Sequence, residues 1–401
     1  MLKRTHPRRV ARFGALVAPR ISWRSVVLYS FALLLLIGLL APTNYVVEGA
    51  GPALETTSTI DSKPVVSVTD VKTYPTDSSY YLTTVTAWGE PGNGVTGAQA
   101  LMALARPDRQ LIPLALMYPP QTTAQELDER NAALMTSSQD AAAVVGFELA
   151  GYQPSMVLRV ASTSADYLAS GKLRVGDTIT GIRRAGMGAE GANTANNAAG
   201  AGEPGEEFVD IESFTSLSRY LSSVPPGTAI EVRIERDGRR EVVQFPTSPY
   251  PADSTGWVHP GSLLGVGVAV TDVQLPGAVQ YAVEGIGGPS AGNIFALTVY
   301  DELTPGSLAA DAKIAGTGEV EFDGDVTPIG GIIHKLNGAR RQGATDFLAP
   351  AENCSETQGH VPDGMNVWAV RSVSESITAA EAIGAGDTAS LTPCSAFFEN
   401  K

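Results

Sequence analysis

The sequence predicts a multidomain α+β protein that follows a single N-terminal membrane helix. Three observations lead to this fold class: an apolar run near the N-terminus, alternating strand patterns with a hairpin in the middle, and a strand–turn–helix pattern in the last third. A chain of 401 residues is longer than one ordinary domain. Its composition, 43% hydrophobic and 17% charged, is typical of folded rather than disordered proteins.

The N-terminal segment combines a basic tail with an apolar run. Residues 1–25 contain seven lysines and arginines and no acidic residue, and residues 26–47 carry no charge. This run approaches the ~20 residues that a helix needs to cross a bilayer, and positive charge favours the cytoplasmic side. We expect a cytoplasmic tail, a single-pass anchor and an extracytoplasmic body. The alternative is a cleaved signal peptide, although Pro42 directly follows Ala41 and no Ala-x-Ala pattern lies nearby.

The body of the chain is acidic. All 42 Asp and Glu residues lie from Glu48 onward, and the net charge is −14. Nucleic acid binding requires Lys and Arg to neutralise phosphates, so we expect no nucleic acid partner. Residues 48–62 are small and polar and predict a linker. Residues 63–144 predict an extracytoplasmic α/β region, with two strands followed by a helix.

Residues 145–248 predict a second unit, rich in β-strands. A short strand at Met156–Val160 precedes the stretch Gly171-Lys-Leu-Arg-Val-Gly-Asp-Thr-Ile179. A helix is then predicted in the region of Phe214. Alternating residues from Ile230 then turn at Asp237-Gly238 into a second strand, which is a hairpin pattern. This order resembles a PDZ domain of the bacterial type, with a Gly/Ala/Asn-rich insertion at 184–207 that predicts a surface loop.

The PDZ resemblance implies a peptide-binding groove. Such domains bind a peptide as an added strand beside a helix. The residues that this assigns here are Val157, Val160, Phe214, Leu217 and Leu221. The alternative is a packing unit without a ligand. Residues 249–260 are rich in Pro and Ser and predict a linker before the last domain, 261–401.

The motif Gly287-Gly-Pro-Ser-Ala-Gly292 is a candidate nucleophile turn. It follows a strand-like run and precedes a helical one, and its small residues would let a substrate carbonyl approach Ser290. Amides at a helix start can hold an oxyanion, so the turn residues Gly288, Pro289, Ala291 and Gly292 are assigned to this role. The motif alone is only suggestive.

Lys335 is the candidate base. None of the four histidines lies in a recognisable triad motif. A lysine can act as a base when burial lowers its pKa, and Ser-Lys pairs are an established variant of the triad. Lys335 lies at the start of a predicted helix that follows the turn at Gly330-Gly331.

The segment from Glu284 to Asn353 resembles the proteolytic domain of Lon. Its blocks GGPSAG, IAGTGEVEFDGDVTPIGGIIHK and ARRQGATDFLAPAEN occur in the family order. The resemblance implies that Ser290 is the catalytic serine, Lys335 the catalytic lysine and Thr317 the threonine near that lysine. Many Lon proteins have Asp where this chain has Gly287, so any contribution from that acid is absent. A Lon-like fold without activity is the alternative.

Together, the membrane segment, the PDZ-like unit and the Lon-like domain resemble the bacterial YlbL-type secreted Lon-like proteases. The resemblance implies an ATP-independent serine endopeptidase that acts on protein or peptide substrates. Energy-dependent Lon proteins carry a Gly-x4-Gly-Lys-Ser/Thr loop, and this sequence contains none. We therefore expect no ATP, cofactor or metal. A non-catalytic, membrane-tethered binding protein is the rival hypothesis, and the sequence does not indicate an oligomeric state.

The two cysteines, Cys354 and Cys394, are too few for a disulfide scaffold and lack zinc-ligand spacing. In an exported domain two thiols tend to pair. We therefore predict a disulfide between them, with two separate buried thiols as the alternative.

Overall fold

The computed structural model describes residues 22–60, 63–106, 108–119, 121–186, 206–283 and 285–398. Most of the predicted basic tail (1–21) and most of the predicted insertion (187–205) lie outside the described residues. The remaining chain forms α-helices, β-strands and short 3₁₀ turns.

The secondary-structure elements follow each other along the chain. The helices are α1 (Trp23–Leu40), α2 (Gly97–Leu104), α3 (Leu114–Met117), α4 (Ala124–Leu149), α5 (Phe214–Ser222), α6 (Gly292–Leu303), α7 (Ile332–Arg341) and α8 (Val373–Ala385). The strands are β1 (Tyr45–Glu55), β2 (Thr59–Ile60), β3 (Lys63–Pro64), β4 (Val66–Thr69), β5 (Ser79–Trp88), β6 (Arg109–Pro113), β7 (Ser155–Thr163), β8 (Thr178–Arg184), β9 (Val209–Asp210), β10 (Ala229–Arg236), β11 (Arg239–Pro246), β12 (Val266–Gln274), β13 (Ala278–Tyr281), β14 (Lys313–Gly316), β15 (Glu319–Val320), β16 (Val326–Thr327), β17 (Asp346–Pro350) and β18 (Asn366–Val370).

A mixed six-stranded sheet, the central sheet, carries the site described below. Its strand order is β18-β17-β14-β5-β1-β6, and β5, β14, β17 and β18 run parallel to their neighbours in that series. Residues of β5 alternate between its faces: Tyr80 and Leu82 pack in the core with α6, and Tyr81 packs in the core with α7. Helices therefore cover both faces, as parallel strands require.

The expected linker at 48–62 is wrong, because most of it belongs to β1. This strand begins at Tyr45, inside the predicted anchor, and pairs antiparallel with both β5 and β6. The small residues that suggested a linker are required by close packing. A Cβ atom on Gly51 would lie 2.8 Å from the Thr84 backbone, and one on Gly338 of α7 would lie 2.8 Å from the Gly51 oxygen. The apolar helix itself ends at Leu40.

The predicted boundaries near 145 and 261 do not separate the sheets either. The central sheet combines β1, β5 and β6 with three strands from beyond residue 312. In α4, Val144 packs into the core of the second sheet, whereas Val145 and Phe147 pack into the core of the central sheet. The end of α4 is therefore shared by both cores.

The second sheet is antiparallel, with the order β11-β10-β8-β7-β12 and β9 beside β8. The predicted hairpin is present, and its turn residues Asp237 and Gly238 both have positive φ angles, of 50° and 71°. Two such residues are typical of the hairpin turn that matches strand twist. The strand β12 comes from beyond the predicted second linker and closes one end of this sheet.

Cys354 and Cys394 form a disulfide, with 4.8 Å between their Cα atoms. Both lie in short 3₁₀ turns and are buried beside Phe347 and Leu336, in the core between the central sheet and α7. The bond therefore attaches the last described turn of the chain to this core.

Candidate active site

Ser290 lies in the turn between β13 and α6, two residues before the helix begins. Gly288 has a φ of +87°, which a residue with a Cβ adopts only with strain. Two hydrogen bonds connect this turn to α4. The Gly288 amide donates to the Asn131 carbonyl at 3.1 Å. The Ser138 hydroxyl donates to the Pro289 carbonyl at 2.7 Å. The turn is thus fixed by a helix more than 140 residues earlier in the chain.

Lys335 projects from the first turn of α7. Gly331 precedes that helix with a φ of +71°, and a Cβ atom there would meet the Val85 side chain at 2.7 Å. The preceding loop is fixed by Asn353, which accepts from the Ile329 amide at 2.8 Å and donates to the Ile329 carbonyl at 2.9 Å. The Gly330-Gly331 pair and Asn353 therefore determine the position of the Lys335 backbone.

Ser290, Lys335 and Thr317 meet in three dimensions. The Lys335 Nζ lies 2.6 Å from the Ser290 Oγ and donates to the Thr317 Oγ1 at 2.9 Å. The Thr317 hydroxyl in turn donates to the Ser290 carbonyl at 2.9 Å. The Thr317 hydroxyl therefore donates its proton to the backbone and accepts a hydrogen bond from the lysine. This arrangement leaves the amine directed at the serine hydroxyl.

The lysine is almost completely buried, with 3% of its surface exposed. Burial lowers the pKa of Lys335 to about 7, because an apolar environment disfavours the ammonium form. No carboxylate forms an ion pair with it in the described parts of the chain. A substantial neutral fraction is therefore present at neutral pH, which is the form that can accept a proton.

The predicted oxyanion residues do not contribute equally. The Gly288 amide is already bonded to Asn131, the Gly292 amide donates to the Pro289 carbonyl at 3.3 Å, and proline has no N–H. Within the described residues, the amides of Ser290 and Ala291 donate no hydrogen bond. These two amides, at the positive end of α6, are the groups available to an oxyanion.

A cleft of about 520 Å³ opens over Ser290. One wall is the stretch of β5 from Thr83 to Ala87, and the opposite wall is the loop 285–289. The neighbour β14 pairs with β5 only as far as Leu82, so the next residues of β5 have an open edge on that side. Sequence reasoning missed this wall and the supporting α4 residues. The alternation of Thr, Val and Ala in β5 predicts a strand, but it does not indicate that one edge of this strand is unpaired.

The predicted peptide groove is displaced from β7 to β12. Val160 is buried in the core, and β7 is paired on both sides, with β8 and β12. Because β12 takes the edge position, β7 has no free edge for an added strand, and neither Val157 nor Val160 lines the groove beside α5. Phe214, Leu217 and Leu221 of α5 do line one, of about 460 Å³, opposite β12. A sequence signal existed: Gly265, followed by apolar residues at 266, 268 and 270, is a strand pattern.

This groove, the β12–α5 groove, has an acidic end. Glu321, Asp323 and Asp325 line it from the loop between β15 and β16. Burial and the nearby Asp323 carboxylate raise the pKa of Asp325 to about 6, and His259 lies 3.5 Å from it. The Ser218 hydroxyl of α5 donates to Asp323 at 3.2 Å. Three close carboxylates repel each other, so a cation in the groove would be favoured.

The described residues contain no cluster of three or more His, Cys, Asp or Glu side chains that could hold a metal ion. The groups that converge on Ser290 are a hydroxyl, an amine and backbone amides, which fit acid–base and nucleophilic chemistry.

Part of the chain is similar in sequence to known proteins. Residues 280–382 match the family model of the Lon protease (S16) C-terminal proteolytic domain. Relatives include a Lon protease of Clostridium beijerinckii, 40% identical over 91 residues (22% of this chain, 11% of the relative), and Lon protease 2 of Bacillus subtilis, 32% identical over 103 residues (26% and 17%). The chain thus spans less than a fifth of these relatives.

Among solved structures, the PDZ domain of an SdrC-like protein from Listeria monocytogenes is similar to part of the chain. It is 17% identical and covers 28% of this chain and 86% of that domain, with a TM-score of 0.19. The fold class is a mixed α+β protein with an apolar N-terminal helix. Residues 280–382, which match the Lon proteolytic domain, contain Ser290, Thr317 and Lys335.

Proposed function

We propose that this chain is an ATP-independent serine endopeptidase, of the YlbL type, with Ser290 as nucleophile and Lys335 as general base. The observation that carries the proposal is the 2.6 Å approach of a buried lysine amine to the Ser290 hydroxyl. It lies inside a segment that matches the Lon proteolytic domain.

In the proposed acylation step, the neutral Lys335 amine takes the proton of the Ser290 hydroxyl as the oxygen attacks the scissile carbonyl. The amides of Ser290 and Ala291 stabilise the oxyanion. The resulting ammonium then donates its proton to the leaving amine, and the C–N bond breaks. Thr317 keeps the amine oriented, because its hydroxyl accepts a hydrogen bond from Nζ while its own proton is held by the Ser290 carbonyl.

In the proposed deacylation step, Lys335 takes a proton from water, which attacks the acyl-enzyme ester, and Ser290 recovers its proton when the acid product leaves. The lysine needs no counter-ion for this cycle, because burial alone already lowers its pKa to about 7. The absence of an acid at Gly287 is therefore compatible with the proposed chemistry.

Extended polypeptide is the substrate form that fits the cleft. The open edge of β5 offers backbone groups to an added strand, and the loop 285–289 lies on the other side. The sequence lacks a nucleotide-binding Gly-x4-Gly-Lys-Ser/Thr loop. We therefore propose that the enzyme cleaves loose or unfolded segments of protein substrates.

The β12–α5 groove is proposed as a PDZ-like peptide recognition site. β12 is the last strand of its sheet, so its free edge is available, and apolar side chains of α5 face it across the groove. This is the arrangement in which a peptide can add as a strand and place alternate side chains in the groove.

Membrane anchoring is proposed from α1. This helix has 18 residues, a mean hydropathy of 2.0 and no buried residue, and a basic segment precedes it. We propose that it spans the membrane with the N-terminus in the cytoplasm and the body outside.

Mutation of the dyad tests the proposed activity. Ser290→Ala should abolish peptide cleavage, and Lys335→Ala should lower it by about 100- to 10,000-fold. The double variant should be no worse than Ser290→Ala, because the two groups act as a unit. Labelling of Ser290 by a fluorophosphonate probe gives an independent readout. A wild-type protein that neither cleaves peptides nor reacts with the probe would favour the non-catalytic binding protein.

A further inference from the structure

Two short helices near the end of α1 expose large apolar side chains. These side chains are 57% to 80% exposed. They are Leu101, Met102 and Leu104 of α2 and Leu116 of α3. We call these four residues the α2–α3 apolar surface. Large apolar side chains exposed on one region of a folded domain are typical of interaction sites.

The helix α2 is in direct contact with the last turns of α1. A Cβ atom on Gly97 would lie 2.2 Å from the Gly38 carbonyl oxygen, so the two backbones touch there. The Gly97 amide also donates to the Ala41 carbonyl at 3.1 Å. An apolar groove of about 630 Å³ lies between the helices, and its lining includes Leu34, Leu35 and Leu39 of α1 and Ala100, Leu101 and Leu104 of α2.

The helix α3 lies at the same end of the molecule. The Leu114 amide donates to the Asn44 carbonyl at 2.9 Å, and Pro113 pairs with Tyr45 at the start of β1. Residues 41–44 are the whole connection between α1 and β1. Both helices therefore begin where the apolar helix ends.

Lipid that surrounds α1 would also contact the α2–α3 apolar surface. No residue of α1 is buried, and the proposed function places this helix in a membrane. Because α2 touches α1 at Gly38, two residues before the last residue of α1, lipid around that turn also reaches α2. We propose that the α2–α3 apolar surface is immersed in the outer leaflet of the bilayer beside α1. This inference rests on the proposed membrane anchoring.

Residues around the surface have the chemistry of a membrane interface. Arg106 and Arg109 follow α2, and the Arg109 guanidinium lies 4.3 Å from the centre of the Trp88 ring. Tyr45 is 45% exposed at the start of β1. Aromatic rings favour the headgroup level, and arginines can pair with lipid phosphates there.

Immersion would fix the distance between the active site and the membrane. Pro52 lines the catalytic cleft and lies on β1, seven residues after Tyr45. Seven residues of strand span at most about 24 Å. The cleft is therefore held near the bilayer, and segments of proteins close to the membrane surface become the favoured substrates.

Depth-dependent quenching in the full-length chain tests the inference. Leu104→Cys and Leu116→Cys, each carrying an environment-sensitive fluorophore, are reconstituted into phosphatidylcholine–phosphatidylglycerol vesicles with or without doxyl-labelled lipid. Leu168→Cys, at a position that is 69% exposed on the second sheet unit, is the matched control. We expect doxyl lipid to quench positions 104 and 116 at least twofold and to leave position 168 unchanged.

Equal quenching at positions 104 and 168 would overturn the inference. Disulfide cross-links between copies at Leu104→Cys without lipid quenching would also overturn it, because the surface would then bind a second chain. If the protein purified from cells begins after residue 41, α1 has been cleaved. The absence of quenching in that protein would refute both the anchor and the inference.

Activity separates this inference from the proposed enzyme. Leu101→Ser combined with Leu104→Ser should leave cleavage of a soluble peptide unchanged and lower cleavage of a vesicle-tethered peptide at least threefold. Equal rates of the variant and the wild type on the tethered peptide would contradict the inference. If no peptide is cleaved by the wild type but positions 104 and 116 are quenched, the proposed activity fails and the membrane contact stands.

Discussion

At the scale of single residues, the site depends on one buried amine. Lys335 has no counter-ion among the described residues, and burial lowers its pKa to about 7. The two hydroxyl groups that surround it, Ser290 and Thr317, are neutral and do not restore the charge. Burial among neutral groups is thus sufficient to bring the pKa of a lysine close to neutral pH.

The rate of peptide cleavage should therefore rise with pH. The active form is the neutral amine, whose fraction increases as pH passes the lysine pKa of about 7. We expect kcat/KM to be lost below that pH and to reach a plateau above it. Measurement between pH 5 and 9 checks this. A profile that stays flat down to pH 5 would exclude Lys335 as the base.

Replacement of Thr317 should distinguish the contribution of its hydroxyl to activity from the contribution of its side-chain volume. Thr317→Val keeps the volume but removes both hydrogen bonds to the dyad. We expect kcat/KM to fall by about 10- to 100-fold, because the amine loses its orientation. Thr317→Ser retains the hydroxyl and should keep most of the activity. Thr317 has no positioning role if the valine and serine variants are equally active.

At the scale of elements, β15 and β16 link the two sites of the molecule. Thr317 and Gly318 contact the nucleophile turn, and the Gly318 amide donates to the Ser290 carbonyl at 2.9 Å. The loop that follows, 321–325, supplies the three carboxylates of the β12–α5 groove. One short hairpin therefore borders both the proposed dyad and the groove.

The carboxylates should make the groove selective for basic peptides. Asp323→Asn with Asp325→Asn removes two of the three acidic side chains at the groove. Binding of a peptide with a lysine and an apolar C-terminus should weaken about 3- to 10-fold, because these carboxylates are partly exposed. Affinity for the same peptide with methionine in place of lysine should not change. Calorimetry of both peptides decides this, and equal losses for the two would contradict the prediction.

The disulfide should stabilise the core between α7 and the central sheet. It closes a sequence separation of 40 residues. In the chain-entropy model, replacing both Cys354 and Cys394 by alanine should lower the free energy of unfolding by about 3–4 kcal/mol. Urea unfolding with and without reductant measures this. The pairing is wrong if protein purified from the cell envelope releases two alkylatable thiols on denaturation without reductant.

At the scale of the whole molecule, the central sheet is built from both ends of the chain. β1, directly after the apolar helix, lies between β5 and β6, while β14, β17 and β18 come from the last third. The segment that matches the Lon proteolytic domain starts at residue 280 and includes none of β1, β5 and β6. These earlier strands therefore complete the sheet on which that segment rests.

Truncation tests this dependence. A fragment of residues 63–401 lacks β1 and should not unfold cooperatively, because the edges of β5 and β6 and the buried Ala53 contacts are lost. A fragment of residues 41–401 removes only α1 from the described structure and retains β1, so it should fold. Circular dichroism during thermal unfolding compares them. A cooperative transition in the shorter fragment would mean that β1 is dispensable.

The sequence alone determined the features that depend on neighbouring residues. It indicated the apolar helix, the Asp237-Gly238 hairpin turn, the strand–turn–helix around Ser290 and the lysine after Gly330-Gly331. These features follow from periodicity and from backbone freedom at glycine, which act over a few residues. The position of Thr317 beside Lys335 was expected only from the resemblance to the Lon proteolytic domain.

Only the tertiary structure decided which segments are neighbours. The composition of residues 48–62 predicts a linker, because the small residues that let β1 pack against α7 are also typical of a flexible connection. The groove was assigned to β7 because nothing near Val157 shows that β12, more than a hundred residues later, occupies the sheet edge. Strand order and the support that α4 gives to Ser290 arise from long-range packing, which local sequence patterns do not encode.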